Sequence, residues 1–339
     1  ALACAADRIA MAPEGNLMVL GVASELAFFA ETLDTVGLEA EFLHVGKYKS
    51  APEQLTRTGP TDANREMTTA LVEGRYELLV DLIATGRDRP AETVRQWIDT
   101  GLYDAPTARA AGLVDTLLTA EDLMADLGPA DDVARLERYA LAGGGGSGRR
   151  TAALIVAAGT IFPGPSRRDN LQGQILGSDT VIEQLADARQ DAGVDAVVLR
   201  VDSPGGSALA SDLIWREVQR VREVKPVIVS MGGYAASGGY YLACAADSIF
   251  AGHGTLTGSI GVFAGKVDWS GLFDKIGVHR EFIQRGDNAL MMSDAGGFTP
   301  EQRALFQAQL ERFYRRFVAK VAQGRGLEPA QVDEVAQGR

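Results

Sequence analysis

Residues Leu2–Asp7 read Leu-Ala-Cys-Ala-Ala-Asp, and the same six residues return as Leu242–Asp247, an offset of 240. The same offset pairs Gly21-Val22 with Gly261-Val262, Asp34 with Asp274, Gly37 with Gly277, Glu41-Phe42 with Glu281-Phe282 and Gly46 with Gly286. Shifted by two residues, Arg65 pairs with Arg303, Tyr76 with Tyr314, and Gly86-Arg87 with Gly324-Arg325. Identity at a fixed offset over this length predicts two copies of one supersecondary unit. Tyr241 aligns with Ala1, so the first copy lacks counterparts of Thr151–Tyr240. Arg339 falls opposite Gly101, so the second lacks a counterpart of Leu102–Asp115. The expectation is a piece of a longer protein, with low stability on its own. The expected division is a first copy over 1–140, a Gly-rich linker over 141–150 and a second copy over 151–339.

Within each copy, short apolar strands alternate with helical periodicity, which predicts an α/β fold with a mostly parallel sheet. Strands are expected at Asn16–Val22, Ala40–Val45, Gly112–Asp115, Thr151–Ala158, Ala196–Val201, Pro226–Ser230 and Ser248–Ala251. Helices are expected at Leu26–Val36, Asp62–Thr85, Ala91–Gln96, Ala105–Ala111, Ala120–Ala140, Ser178–Ala192, Ala208–Val224 and Tyr240–Ala246. A last helix, opened by Thr299 as N-cap and Pro300 at the first position, runs to Gln323. Its aromatic stripe of Phe306, Phe313, Tyr314 and Phe317 reads as core or subunit contact. Cys4 and Cys244 occupy one position of the repeat, a small apolar helix site, and read as packing.

Two Gly-rich turns carry the chemistry. Met231-Gly-Gly-Tyr-Ala-Ala-Ser-Gly-Gly-Tyr240 breaks a strand at glycines and restarts as a helix. That puts Ser237 at a strand's carboxyl end, where open α/β sheets bind ligands and helix N-termini favour negative charge. Alone, the serine reads equally well as a cap. Asp202-Ser-Pro-Gly-Gly-Ser207 ends the preceding strand in the same way. Two such turns in successive βα units can face one crevice, with the N–H groups of Gly206 and Gly238 as a two-donor oxyanion hole.

A nucleophilic serine needs a proton acceptor. Of the three histidines only His253, sixteen residues past Ser237, stands near a Gly-rich turn; His44 and His279 have no motif around them. Lys49 in Gly46-Lys-Tyr-Lys-Ser-Ala-Pro-Glu53 is the other candidate, since burial lowers a lysine pKa toward neutrality. The position aligned with Lys49 is Ala289, so one copy supplies the lysine and the other the serine.

These motifs, together with Leu256-Thr-Gly-Ser-Ile-Gly261, make the chain resemble the signal peptide peptidase A (protease IV) family in its long tandem-repeat form. That resemblance covers nearly all 339 residues and implies a tandem repeat of Clp protease/crotonase-like βαβ domains. The first would be truncated at its N-terminus and the second at its C-terminus. It implies a Ser/Lys dyad, Ser237 as nucleophile and Lys49 as general base, with Lys47 a second lysine nearby. It also implies that Ser259 orients the lysine and that Gly238 and Gly206 form the oxyanion hole. No cofactor and no metal are implied. The expected substrates are signal peptide remnants, cleaved by a homo-oligomer, a tetramer. The expected location is the inner (plasma) membrane, with the catalytic part outside the cytoplasm and the anchor in a segment absent from this chain.

Composition bears on the rival classes. A net charge of −12 without a basic cluster speaks against a nucleic-acid surface. Two cysteines and three scattered histidines provide no metal-ligand spacing. No run is long and apolar enough for a membrane span, and no signal peptide opens the chain. A crotonase-like acyl-thioester hydrolase and a non-catalytic peptide-binding scaffold remain as alternatives. A Ser/His/Asp hydrolase is a weaker third.

Overall fold

The computed structural model describes residues 1–127, 150–170 and 173–339. The linker expected at 141–150, apart from Arg150, and the second half of the helix expected over Ala120–Ala140 lie outside those residues. The chain forms two compact units, one of Ala1–Ser24 with Thr69–Arg149 and one of Glu25–Thr68 with Arg150–Arg339. In chain order the elements begin with a 3-10 turn at Leu2–Ala5, β1 (Ala10–Met11), β2 (Asn16–Met18), α1 (Ala30–Val36), β3 (Glu39–Val45), α2 (Glu53–Thr56) and α3 (Asp62–Arg87). They continue with α4 (Ala91–Thr100), β4 (Leu102–Asp104), α5 (Ala105–Ala111), β5 (Thr116–Leu117) and α6 (Ala120–Leu127). After β6 (Ala152–Ala158), β7 (Thr160–Phe162), β8 (Arg167–Asp169) and β9 (Gly173–Gly177) come α7 (Ser178–Gln190) and β10 (Ala196–Ser203). Next are α8 (Ala208–Arg222), β11 (Val227–Ala236), α9 (Gly238–Ala243), β12 (Ser248–Phe250), β13 (Leu256–Gly258) and β14 (Val262–Asp268). Last are α10 (Ser270–Lys275), α11 (Pro300–Arg325) and α12 (Pro329–Val335).

The first unit pairs β1 with β5 in parallel and β2 with β4 antiparallel. Its core is Val80, Ile83, Val94, Trp97, Ile98, Tyr103 and Leu113. Val94, Trp97 and Ile98 stand at i, i+3 and i+4 of α4, the spacing that presents one apolar face. The strand expected at Gly112–Asp115 is instead the turn closing α5: Gly112 has φ 82° and caps the helix, and the strand begins at Thr116. Cys4, half-buried in the 3-10 turn, packs against this core, and Cys244 is buried in the other core at the C-cap of the helix Gly238–Ala243, so both serve packing.

The second unit holds a parallel sheet in the order β12-β11-β10-β6, with β13 paired to the far end of β11. Alternate residues Val197, Leu199 and Val201 of β10 are buried, as are Val227, Val229 and Met231 of β11. They join Val181 and Leu185 of α7 with Ile214, Val218 and Val221 of α8 in one core. Each fully buried apolar side chain of this size contributes roughly 1.5–3 kcal/mol. The aromatic stripe of α11 is buried: Tyr314 and Phe317 join this core and Phe313 packs against it, while Phe306 joins a smaller cluster with Leu43, Phe298 and Leu310. Thr299 caps α11 with Pro300 at its first position, as the sequence predicts, and Gln302 completes a reciprocal cap.

Two features place the site. First, β11 does not break at its glycines but runs on to Ala236. A side chain on Gly232 would come within 2.7 Å of Asp202 Cγ, so this glycine makes room for a neighbouring strand. Second, β14 pairs antiparallel with β3 along seven residues, from Val262 opposite Val45 to Asp268 opposite Glu39. That ladder is why residues 25–68 pack with 150–339.

Candidate active site

Ser237 stands between β11 and α9 with φ 53° and ψ −117°, a backbone conformation that costs a non-glycine residue about 1–3 kcal/mol. Hydrogen bonds on both sides hold it there. The Ser237 N–H donates to Gly258 O at 2.9 Å, and Ser237 O accepts from the Tyr241 N–H at 2.9 Å. The glycines that follow are dictated by packing. A Cβ on Gly238 would overlap Ser211 Oγ, and one on Gly239 would lie 2.6 Å from Ser203 O. The Ser237 turn is therefore pressed directly onto the end of β10 and the start of α8.

Lys49 lies four residues beyond the end of β3, in a turn where its own N–H donates to Gly46 O at 3.1 Å. The β3–β14 ladder carries this turn to the segment before Val262, while the β11–β13 pairing sets Gly258 opposite Ala236. Ser259 is thereby delivered between the two. Residues 337–339 bridge the same segments. Gln337 O accepts from the Tyr48 N–H at 2.7 Å, the Gly338 N–H donates to Ile260 O at 2.8 Å, and the Ser259 N–H donates to Arg339 O. Gly338 has φ 89°, and a Cβ there would overlap the Lys49 backbone.

Lys49 Nζ is 3.1 Å from Ser237 Oγ, 2.9 Å from Ser259 O and 2.9 Å from Ser259 Oγ. An ammonium has three donors, and here it meets three acceptors. The residue is only 5% exposed, and this burial lowers its pKa from 10.5 to about 8. Among the described residues no carboxylate forms an ion pair with it. In the neutral state the two Ser259 oxygens occupy the two remaining N–H groups. The nitrogen lone pair is then left facing the Ser237 hydroxyl.

The sequence-predicted residues fall as follows. Lys49, Ser237 and Ser259 come together. Gly238 follows the serine, and the turn at Gly205-Gly206 stands against it: a Cβ on Gly205 would lie 2.7 Å from Gly238 N and 2.8 Å from Ser237 Cβ. Gly206 has φ 148° and packs on Ile161, whose carbonyl accepts from the Ser207 N–H at 2.8 Å. Among the described residues neither the Gly206 nor the Gly238 N–H has a partner. Lys47 Nζ lies 3.4 Å from Tyr48 Oη, away from the serine, and His253 is exposed. Three contributions went unseen in the sequence: Gly205, Ser211 and the 337–339 segment. Only the glycine had a visible signal, as the first member of its Gly-Gly pair. The other two act through tertiary contacts.

Residues 1–133 and 219–339 match peptidase family S49. The chain is 33% identical over 355 residues to the Arabidopsis thaliana protein named "Serine protease SPPA, chloroplastic", a match covering 100% of this chain and 52% of that one. It is 33% identical over 369 residues to Protease 4 of Haemophilus influenzae, covering 100% of this chain and 57% of the relative. The chain thus spans about half the length of the curated relatives it matches. A solved structure, a ClpP1 mutant from Listeria monocytogenes, shares 16% identity at a TM-score of 0.32, over 53% of this chain and 77% of that one. A likeness of that size carries no argument about the site.

Proposed function

The chain belongs to peptidase family S49, and from that premise we propose that it cleaves peptide bonds with Ser237 as nucleophile and Lys49 as general base. The observation that carries this reading is the 3.1 Å approach of a buried lysine amine to a serine hydroxyl on a strained turn. With its pKa near 8, roughly a tenth of Lys49 is neutral at pH 7. Neutral Lys49 takes the Ser237 proton as Oγ attacks the scissile carbonyl carbon. The oxygen of the tetrahedral adduct accepts from the free N–H groups of Gly238 and Gly206. Collapse breaks the C–N bond, and the Lys49 ammonium protonates the departing amine. Water then attacks the Ser237 ester carbonyl and gives a proton to Lys49; collapse breaks the acyl C–Oγ bond, the Lys49 ammonium returns that proton to Ser237 Oγ, and the acid product leaves.

The proposed substrates are remnants of signal peptides or other extended apolar peptides, on the strength of the resemblance. We read 1–140 and 151–339 as two copies of one unit, and equivalent contacts support this. Gly86 and Gly324 leave no room for a side chain against Cys4 and Cys244 respectively. The Val19 N–H to Gly101 O hydrogen bond has its counterpart in the Ser259 N–H to Arg339 O bond. Assembly as a homo-oligomer, a tetramer, is part of the same proposal. Among the described residues no helix is long and apolar enough to cross a membrane. Attachment to the plasma membrane, with the peptidase outside the cytoplasm, rests on the resemblance.

Labelling of the protein by a peptidyl fluorophosphonate across pH, followed by peptide mapping, tests the dyad. Modification at Ser237 that rises with pH and disappears in Lys49→Ala is the expected result. Labelling that persists without Lys49 moves the base elsewhere. Absence of labelling at any pH favours a peptide-binding scaffold.

A further inference from the structure

Ser259 is held by more than the lysine. It takes φ 49°, a left-handed conformation uncommon for a serine, and Val19, its counterpart in the repeat, does not. Both Ser259 oxygens accept from Lys49 Nζ, and its N–H donates to Arg339 O. The side chain of that same arginine reaches the residue beside the lysine. Arg339 Nη2 donates to Tyr48 Oη at 2.7 Å, and its guanidinium carbon lies 4.3 Å from the Tyr48 ring centroid.

Tyr48 is buried, and its hydroxyl lies 3.0 and 3.1 Å from the two Glu66 carboxylate oxygens, to which it donates. Arg339 stands 3.9 Å from Glu66 Oε1. Lys47 Nζ, 4.9 Å from the ring centroid, is the third charge at this ring. Arg339 therefore reaches both sides of the Lys49 amine: its carbonyl holds Ser259, and its guanidinium holds the turn that carries the lysine. Arg339 and Glu66 are each about half exposed, so as an ion pair they add little to stability. What the bridge contributes is geometry.

The repeat register proposed above separates this role from a demand of the fold. Where the Ser259 N–H donates to Arg339 O, the Val19 N–H donates to Gly101 O at 2.9 Å. The backbone joint thus forms with a glycine at the position of Arg339, and the guanidinium is not needed for it. The partners change together: Asn288 stands at the position of Tyr48, Ala304 at that of Glu66 and Ala289 at that of Lys49. The bridge is present where the lysine is and absent where it is not.

We propose that Arg339 is a positioning residue for the base: its carbonyl and guanidinium tie Ser259 to the Lys49 turn, so that the amine keeps both Ser259 oxygens and faces Ser237. The inference deepens the dyad reading and rests on it for its use in catalysis, whereas the bridge itself is testable without peptidase chemistry.

The test uses the full chain. It has six lysines, so the ε-carbon resonances of the isotope-labelled protein are few, and Lys49→Met identifies the one from Lys49. Its titration midpoint is followed together with the rate of Ser237 labelling by the fluorophosphonate. Arg339→Ala is expected to raise the midpoint by about one unit, as water reaches an amine whose seat has loosened, and to slow labelling near pH 8 by about ten-fold. Tyr48→Phe keeps the ring and loses only the hydroxyl. It should do the same, and the double variant no more, because the two residues act as one unit. Lys47→Ala removes a cation from the same ring without breaking a link to Ser259 and should change neither quantity. An unchanged midpoint in Arg339→Ala, an equal shift in Lys47→Ala or additive effects in the double variant would each overturn the proposal. A midpoint that moves as expected in a protein whose Ser237 takes no label supports the bridge and counts against the peptidase alone.

Discussion

Lys49 bears two opposite demands, and both are measurable. As the proposed base it must be neutral, and burial moves its pKa from 10.5 to about 8. We expect kcat/KM to rise with pH and level off above about 8, and Lys49→Ala to lower it by about 10²–10⁴. As a buried cation it is a burden on stability. Between the folded and unfolded pKa values the unfolded chain binds a proton that the folded chain does not. Stability therefore increases with pH through that window, and below it the folded chain carries the full cost of a buried ammonium. Lys49→Met should be more stable than the wild type at pH 7, by on the order of 3 kcal/mol less the contribution of the two Ser259 hydrogen bonds. Chemical denaturation at pH 7 and pH 10 checks this. A gain that fails to shrink at the higher pH would contradict the argument.

The site depends on elements that never touch substrate. The ladder between β3 and β14 holds the Lys49 turn against the Ser259 segment, and Leu43 anchors it among Phe298, Phe306 and Leu310. Leu43→Ala should cost about 2–5 kcal/mol and lower activity at temperatures where the protein is still folded, because the lysine loses its seat. Thr299→Ala removes the cap of α11 at a cost of about 1 kcal/mol and should leave the dyad's pH profile unchanged. Thermal melts paired with pH–rate profiles distinguish the two effects. Helices were the more legible elements: α4, α5 and α11 follow from periodicity and capping residues. The strand through Gly232-Gly233 was misread as a break, because the reason for Gly232 is the Asp202 side chain on the neighbouring strand. No local signal reports a neighbour 30 residues away.

At the scale of the molecule, acid should act before base. The Arg87 hydrogen bond holds the Asp115 carboxyl at about 2. Asp212, despite a desolvation that pushes it up, is held low by Lys320, Arg216 and Tyr241. Glu53 is likewise held low, against its own desolvation, by Thr61 and Asn64. Such groups contribute stability above their unfolded values, and it is lost as pH falls through the folded ones. The melting temperature should hold between about pH 5 and 7 and drop between about 4 and 2. A flat profile over that lower range would contradict these assignments.

The 240-residue repeat, the two Gly-rich turns and the lysine present in only one copy were all written in the chain. They brought Ser237 and Lys49 forward as candidates, since glycine spacing and a missing counterpart are local facts of order and identity; pairing the two as a dyad came from the family resemblance. What tertiary structure decided was the meeting itself. Lys49 and Ser237 are 188 residues apart, and the seven-residue ladder with the short β11–β13 pairing brings them to 3.1 Å. Strand register, and the burial that lowers an amine's pKa, arise from packing between distant segments; periodicity encodes only which face is apolar.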